Sequence, residues 1–194
     1  MSGAQQAEDE GMTTMDGQVV LIDEHERART RAPRVSQAID AAVRHSAASQ
    51  HPHGYWQRSP RLTGVDASLL LPPVRGAIPV DDPRTRTTLE AVRRELTEDG
   101  FVYRFRHDER ELGDAEGAFL LCGFMMALAE DQQGHGNCAM RWFERNRAAC
   151  GPPGLFCEEY DVRQRQLRGN LPQAFAHALM LECTATLTDD TDHE

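Results

Sequence analysis

Ala118-Phe119-Leu120-Leu121-Cys122-Gly123-Phe124-Met125-Met126-Ala127-Leu128-Ala129 is the stretch on which the fold turns, a run without a single charge or hydroxyl. A surface helix alternates apolar and polar side chains with a period near 3.6, and this run has no polar side, so it reads as a helix buried all round. Glu116-Gly117 is the predicted opening of that helix. The run is too short to span a bilayer and is flanked by acids, so protein has to cover it. After the loop Gly134-His135-Gly136, Asn137 is expected to cap a second helix. That helix carries Ala139, Met140, Phe143 and Cys150 on one side and Arg141, Glu144 and Arg145 on the other. An all-round apolar helix followed by an amphipathic one is the burial pattern of a layered helical toroid, inner helices covered by outer ones.

The pattern continues in both directions. Asp82-Pro83 starts a helix with the apolar stripe Leu89, Val92 and Leu96, and Gly100 is its expected stop. Asp66 is expected to cap an apolar helix through Leu71 that Pro72 and Pro73 end. Val35, Ala38, Ile39, Ala42 and Val43 recur at helical spacing up to Ser46–Ser49. Phe101 to Arg106 alternates, as a strand or extended rim segment does, and His107 to Asp114 reads as a turn or hairpin tip. Pro172 fits the first turn of a last helix, mostly apolar, that runs to about Leu187. The expected class is therefore all-α: a partial toroid of about six helices with a short β-hairpin or extended rim segment. Residues 1–30 read as a poorly ordered leader with a short strand over Val19–Ile22. Residues 31–187 form the helical domain, and 188–194 an acidic disordered tail.

Of the 194 residues 40% are hydrophobic, and the formal charge is −10, which argues against nucleic acid or an anionic membrane as partner. The five cysteines form no C-x-x-C pair, and their odd number favours a reducing compartment; with no secretory pattern at the N-terminus, the reading is cytoplasmic and soluble. Cys122 and Cys157 read as small buried hydrophobes. His51-Pro52-His53 lacks further ligands nearby, so a proline-ordered loop packing Tyr55 and Trp56 is preferred to a metal site. A half-toroid is also expected to expose the apolar side of Ala118–Ala129.

The chemistry concentrates in Gly151-Pro152-Pro153-Gly154-Leu155-Phe156-Cys157-Glu158-Glu159-Tyr160-Asp161. Two adjacent carboxylates sit in an apolar and aromatic frame after a stiff turn. In extended backbone Glu158 and Glu159 point to opposite sides, so one of them faces a given water. The residues alone leave open which. The bland alternative for either is an ion pair with Arg163, Arg165 or Arg168.

Taken in order, VDASLLLPPVRGAIPVDDPR, LTEDGFVYRF, EGAFLLCGF, GLFCEEYD and LRGNLPQAFAHA resemble the C-terminal half of glycoside hydrolase family fifteen, the glucoamylases and bacterial trehalase-like enzymes, over roughly Arg34 to Leu187. The resemblance implies a twelve-helix (α/α) barrel and inverting hydrolysis of α-glucosides. Inversion uses an acid and a base roughly 6.5 to 9.5 Å apart across a pocket. It places the general base at Glu158, with Glu159 as neighbour or alternate. Glu116 and Phe119 fall where similar enzymes put a polar contact and an aromatic wall of the sugar pocket; Tyr160 and Gln173 are further lining residues. No metal or organic cofactor is implied, since acid and base suffice. The family's acid lies in a Trp-Glu segment of the other half, and no Trp-Glu occurs in this chain. The expected function is thus an incomplete glycosidase domain whose partners are an α-glucoside and either a complementary half-barrel polypeptide or a second copy. The alternatives are a noncatalytic helical carbohydrate-binding or association module, and a truncated remnant.

Overall fold

The structure, a computed structural model, describes residues 14–15, 18–19, 37–38, 41, 44–45, 48–107 and 109–189. It divides into two units, Met1–Ala41 and Ala42–Glu194. In the first, β1 (Thr14–Met15) pairs antiparallel with β2 (Gln18–Val19). The expected strand over Val19–Ile22 overlaps this hairpin only at Val19, its other residues lying outside the described ones. Most of the expected leader and tail lie outside them as well. Gln37, Ala38, Ala41, Arg44, His45 and Ala48 are helical. Val35, Ile39, Ala42 and Val43 of the predicted stripe are not among the described residues.

The second unit begins, in its continuously described part, with Tyr55 and Trp56 buried. Trp56 N–H donates to Thr88 Oγ1, and His51 stacks flat on Tyr55 with centroids 4.3 Å apart. Asp66 does cap, accepting from Ser68 N–H, but the turn it opens is a 3-10 turn, Ala67–Leu70. The prolines do not end it. They occupy the first turn of α1 (Leu71–Val74), where a missing N–H has no helical acceptor to disappoint. Asp82 caps α2 (Pro83–Glu95) through Arg84 N–H and also salt-bridges the Arg84 guanidinium at 2.6 Å. That side-chain hydrogen bond holds the Asp82 carboxyl below its usual value. A depressed folded-state pKa contributes stability above the unfolded value and loses it as the pH falls through the folded one. Asp82→Ala is accordingly expected to cost about 1 kcal/mol at neutral pH and little once the carboxyl is protonated, a difference that thermal melts at pH 7 and pH 2.5 measure.

α2 ends at Glu95 with Leu96 as its C-cap, four residues before Gly100, so Gly100 is not its stop. Asp99 (φ 49°) and Gly100 (φ 77°) instead form the two-residue turn of a hairpin between β3 (Thr97–Glu98) and β4 (Phe101–Val102). Positive φ at both turn positions matches the twist of paired strands. The hairpin is thus set one element earlier than the polar run His107–Asp114, and Phe101, Val102 and Tyr103 are all buried instead of alternating.

The apolar run is not helical from Glu116. Ala118 and Phe119 form β5, and the helix α3 spans Leu120–Gln132. Strand β5 pairs with β6 (Glu159–Asp161), which pairs with β7 (Gln166–Arg168). The carboxylate segment thus claims the backbone groups of the lead-in before the helix can. α3 is buried as predicted, by α4 (Gly136–Arg147), α5 (Ala174–Asp189), the 3-10 turn, α1 and β4. Its expected exposure is not found: Leu120 and Cys122 to Glu130 are all buried. Asn137 lies inside α4, whose cap is His135. Pro172 and Gln173 precede α5, which begins at Ala174. From Leu71 to Asp189 the described residues form five α-helices, short hairpins and a three-stranded sheet at the N-terminal end of the inner helix. No described helix is long and apolar enough to cross a membrane.

Candidate active site at the mouth of the inner helix

Glu158 sits at the end of a loop that three backbone hydrogen bonds tie down. Its N–H donates to Asn170 O at 3.0 Å, and its carbonyl accepts from Leu120 N–H at 3.1 Å, the first residue of α3. Two residues upstream, Phe156 O accepts from Gln173 N–H at 2.9 Å. Phe156 N–H donates to His177 Nε2 at 3.3 Å, while the other ring nitrogen, Nδ1, meets Gln173 O at 2.8 Å. The His177 ring is therefore the tautomer with its proton on Nδ1. The loop is held between the starts of two helices, α3 and α5.

The adjacent acids point to different partners, as extended backbone requires. Glu158 Oε2 accepts from Asn170 Nδ2 at 2.9 Å, with Asn170 N–H at 3.4 Å. Glu159 Oε2 accepts from Gly117 N–H at 2.8 Å. Each carboxylate lies against a glycine: a Cβ on Gly117 would stand 2.9 Å from Tyr160 O and 3.0 Å from Glu159 Cβ, and one on Gly169 would stand 3.0 Å from Glu158 Cβ. Both acids are half-buried. Of the arginines considered as their partners, Arg163 pairs with Glu111 and Asp114, and Arg168 with Asp161. Glu158 Oε1 accepts no hydrogen bond among the described residues, so one oxygen is fixed and the other is open to a water.

The other predicted residues are distributed around this point. Glu116 Oε2 lies 3.1 Å from His107 Nε2, not at a helix N-terminus. Phe119 is buried in the core, opposite Glu159 across the β5–β6 pair. Tyr160 stacks on Phe101 with centroids 4.5 Å apart. Gln173 is half-buried and brackets the loop with its backbone. Beside His107 opens a groove of about 530 Å³, walled by Arg58, Arg61, Phe105, Arg106, His107 and Glu109 among others. Arg58 lies 3.7 Å over the Phe105 ring. Neither Glu158 nor Glu159 is in its wall, so the groove and the acids are separate within this chain.

Several participants have no sequence signal of their own. Asn170 and His177 lie in the quoted motif, but their bonds run between segments. His107 and the glycines Gly117 and Gly169 act only through what they face. The thiols of Cys122 and Cys157 are pushed up by burial, consistent with packing roles. No group of three or more metal-ligating side chains occurs among the described residues.

The family model described as Glycosyl hydrolases family 15 matches residues 3–185. The trehalase of Mycolicibacterium smegmatis is 40% identical over 119 residues, which is 60% of this chain and 18% of that protein. Trehalase 1 of Sulfolobus acidocaldarius is 35% identical over 128 residues, 66% of this chain and 23% of that protein. The chain thus spans a minor part of the length of these relatives. Among solved structures, a wild-type glycosidase superposes with a TM-score of 0.67 at 21% identity, over 81% of this chain and 46% of that one. A variant glycosidase in complex with glucose gives 0.68 at 20% identity with the same coverage.

Proposed function

This chain belongs to glycosyl hydrolases family 15, and from that premise we propose that it is the base-bearing part of an inverting glycosidase acting on an α-glucoside of the trehalose type. The observation that carries the reading is the posture of Glu158. Its backbone is bonded to Asn170 and Leu120, and Asn170 holds one carboxylate oxygen. The remaining oxygen is free to take a proton from water as the water attacks the anomeric carbon. A base of this kind works only if its orientation is fixed before the substrate arrives. Glu159 anchors the lead-in to α3 through Gly117 and is the alternate base. Glu116, whose carboxylate lies 3.1 Å from His107 Nε2, is the proposed polar contact to the sugar, with Tyr160 and Gln173 lining the pocket and Phe119 as the wall behind them.

The leaving oxygen needs a proton donor on the opposite face. No Trp-Glu pair occurs in these 194 residues, so the acid comes from outside them. Purified chain incubated with trehalose or maltose is expected to release no glucose. Turnover by the chain alone, abolished by Glu158→Gln, would overturn the assignment of the acid to another segment.

A second reading is favoured by one feature. The groove beside His107 is walled wholly by this chain and carries arginines and an aromatic ring, which suits sugar binding without catalysis. Calorimetric binding of trehalose or maltose that survives Glu158→Gln, with no hydrolysis even in the completed barrel, would support that module instead. The cysteines are free thiols, which fits the cytoplasm as the proposed compartment.

A further inference from the structure

A separate cavity, of about 320 Å³, opens between α2 with its following hairpin and α4, towards the C-terminal end of α3. Its wall is made of Arg93, Gly100, Glu130, Cys138, Arg141 and Trp142. None of these belongs to the candidate active site or to the groove beside His107, and the volume is that of a small-molecule site. Glu130, in this wall, is fully buried. A carboxylate taken out of water has to be paired, and this one has two partners: Arg93 Nε donates to Oε1 at 3.0 Å, and His135 Nδ1–H donates to Oε2 at 2.9 Å. Both oxygens are thereby occupied, and the Arg93 guanidinium is fixed in the wall.

The groups left over decide the ligand. Arg141 is exposed and has no hydrogen bond or ion pair among the described residues; a guanidinium carries N–H donors and no acceptor. With Glu130 saturated, the side chains of the wall offer donors but no free acceptor oxygen. A sugar, whose hydroxyls both donate and accept, is poorly matched to such a wall, and a carboxylate, which only accepts, is well matched. The charge agrees. Two arginines against one carboxylate leave the wall positive in a chain of net charge −10, and a local positive site on a negative molecule favours an anion there. The rest of the lining is apolar: Trp142 and Cys138 are half-buried, and a flat ring can lie against the indole.

We propose that this cavity binds a small organic carboxylate with a flat apolar body, the carboxylate on Arg141 and the body against Trp142. The site stands apart from the catalytic reading, which can fail without it. The probe is naphthalene-2-carboxylate, titrated calorimetrically into the purified chain, with the uncharged naphthalene-2-carboxamide and trehalose as comparisons. One carboxylate per chain is expected to bind with a Kd of about 1 mM or tighter, and the amide at least about tenfold more weakly. Arg141→Gln is expected to weaken the carboxylate by about tenfold, while Arg61→Gln, in the groove beside His107, leaves it unchanged. Both arginines are exposed, and circular dichroism melts check that the variants fold; the comparison of carboxylate with amide needs no variant at all. Alkylation of Cys138 by iodoacetamide, followed by peptide mass spectrometry, reads the site locally: saturating carboxylate should slow it in the unaltered chain. No binding, equal binding of the amide, indifference to Arg141→Gln, loss with Arg61→Gln, or protection of Cys138 by trehalose in place of the carboxylate overturns the proposal.

Discussion

In a barrel completed with the Mycolicibacterium smegmatis trehalase lacking the stretch that this chain matches, Glu158→Gln is expected to lower glucose release from trehalose by about 10³-fold, within the range for loss of a general base. Glu159→Gln is expected to lower it less than about tenfold, a local cost of weakening a positioning bond. The two acids are chain neighbours with similar burial, so the contrast tests geometry. Glu159 directs its carboxylate at Gly117 N–H and thereby holds the strand that leads into α3. Glu158 lies one residue before β6, is steered by Asn170, and keeps one oxygen for water. Glutamine keeps the shape and the Asn170 contact but cannot accept the proton. Measuring kcat and KM for both variants separates the roles: Glu158→Gln should fall in kcat with KM little changed. If Glu159→Gln falls further than Glu158→Gln, the base has been assigned to the wrong acid.

That the two acids face different partners was within reach of the sequence because it depends on their order along the chain; which of them is the base came only from the resemblance. The alternation of Glu158 and Glu159 is a local property of extended backbone. The buried helix was legible for a similar reason: a run with no polar side cannot be a surface helix, and α3 is buried from Cys122 to Glu130. Where the helix starts was not legible. Ala118 and Phe119 are as apolar as the helical residues after them, and only their pairing with Tyr160 and Glu159, some forty residues on, makes them a strand. Gly100 shows the same limit at shorter range. A glycine after an amphipathic stripe serves equally as a helix stop or as half of an Asp-Gly hairpin turn, and its φ of 77° suits both. The exposed apolar face was expected on the inner helix and is found on α5 instead. α3 has α4 and α5 to cover it, whereas Phe175 and Leu181 on α5 stay exposed.

Gly123→Ala is expected to be the most destabilising single methyl in the molecule, at about 3 kcal/mol, the upper end for overpacking, or roughly a 6 to 12 °C fall in Tm. Gly123 lies in α3 where α4 crosses it. A Cβ there would stand 1.9 Å from Asn146 Oδ1, 2.1 Å from its Cγ and 2.2 Å from its Nδ2. Asn146 is fully buried, with Nδ2 donating to Trp142 O at 2.8 Å and Oδ1 without a partner among the described residues. The side chain has nowhere to go: both helices are packed, and turning it away breaks its one bond. The three nearest atoms all belong to this one amide, so the strain is pairwise. Asn146→Ala alone should cost under about 1.5 kcal/mol, since it removes an unpaired buried oxygen along with a bond. Combined with Gly123→Ala it should recover more than half of the loss, a coupling of about 1.5 to 3 kcal/mol in a double-mutant cycle read by urea denaturation. Simple additivity of the two changes would mean that the crossing is not set by this glycine. A full coupling would show that the close approach of α3 and α4, which carries the mouth of the site on the N-terminal end of α3, depends on an absent side chain facing a buried amide.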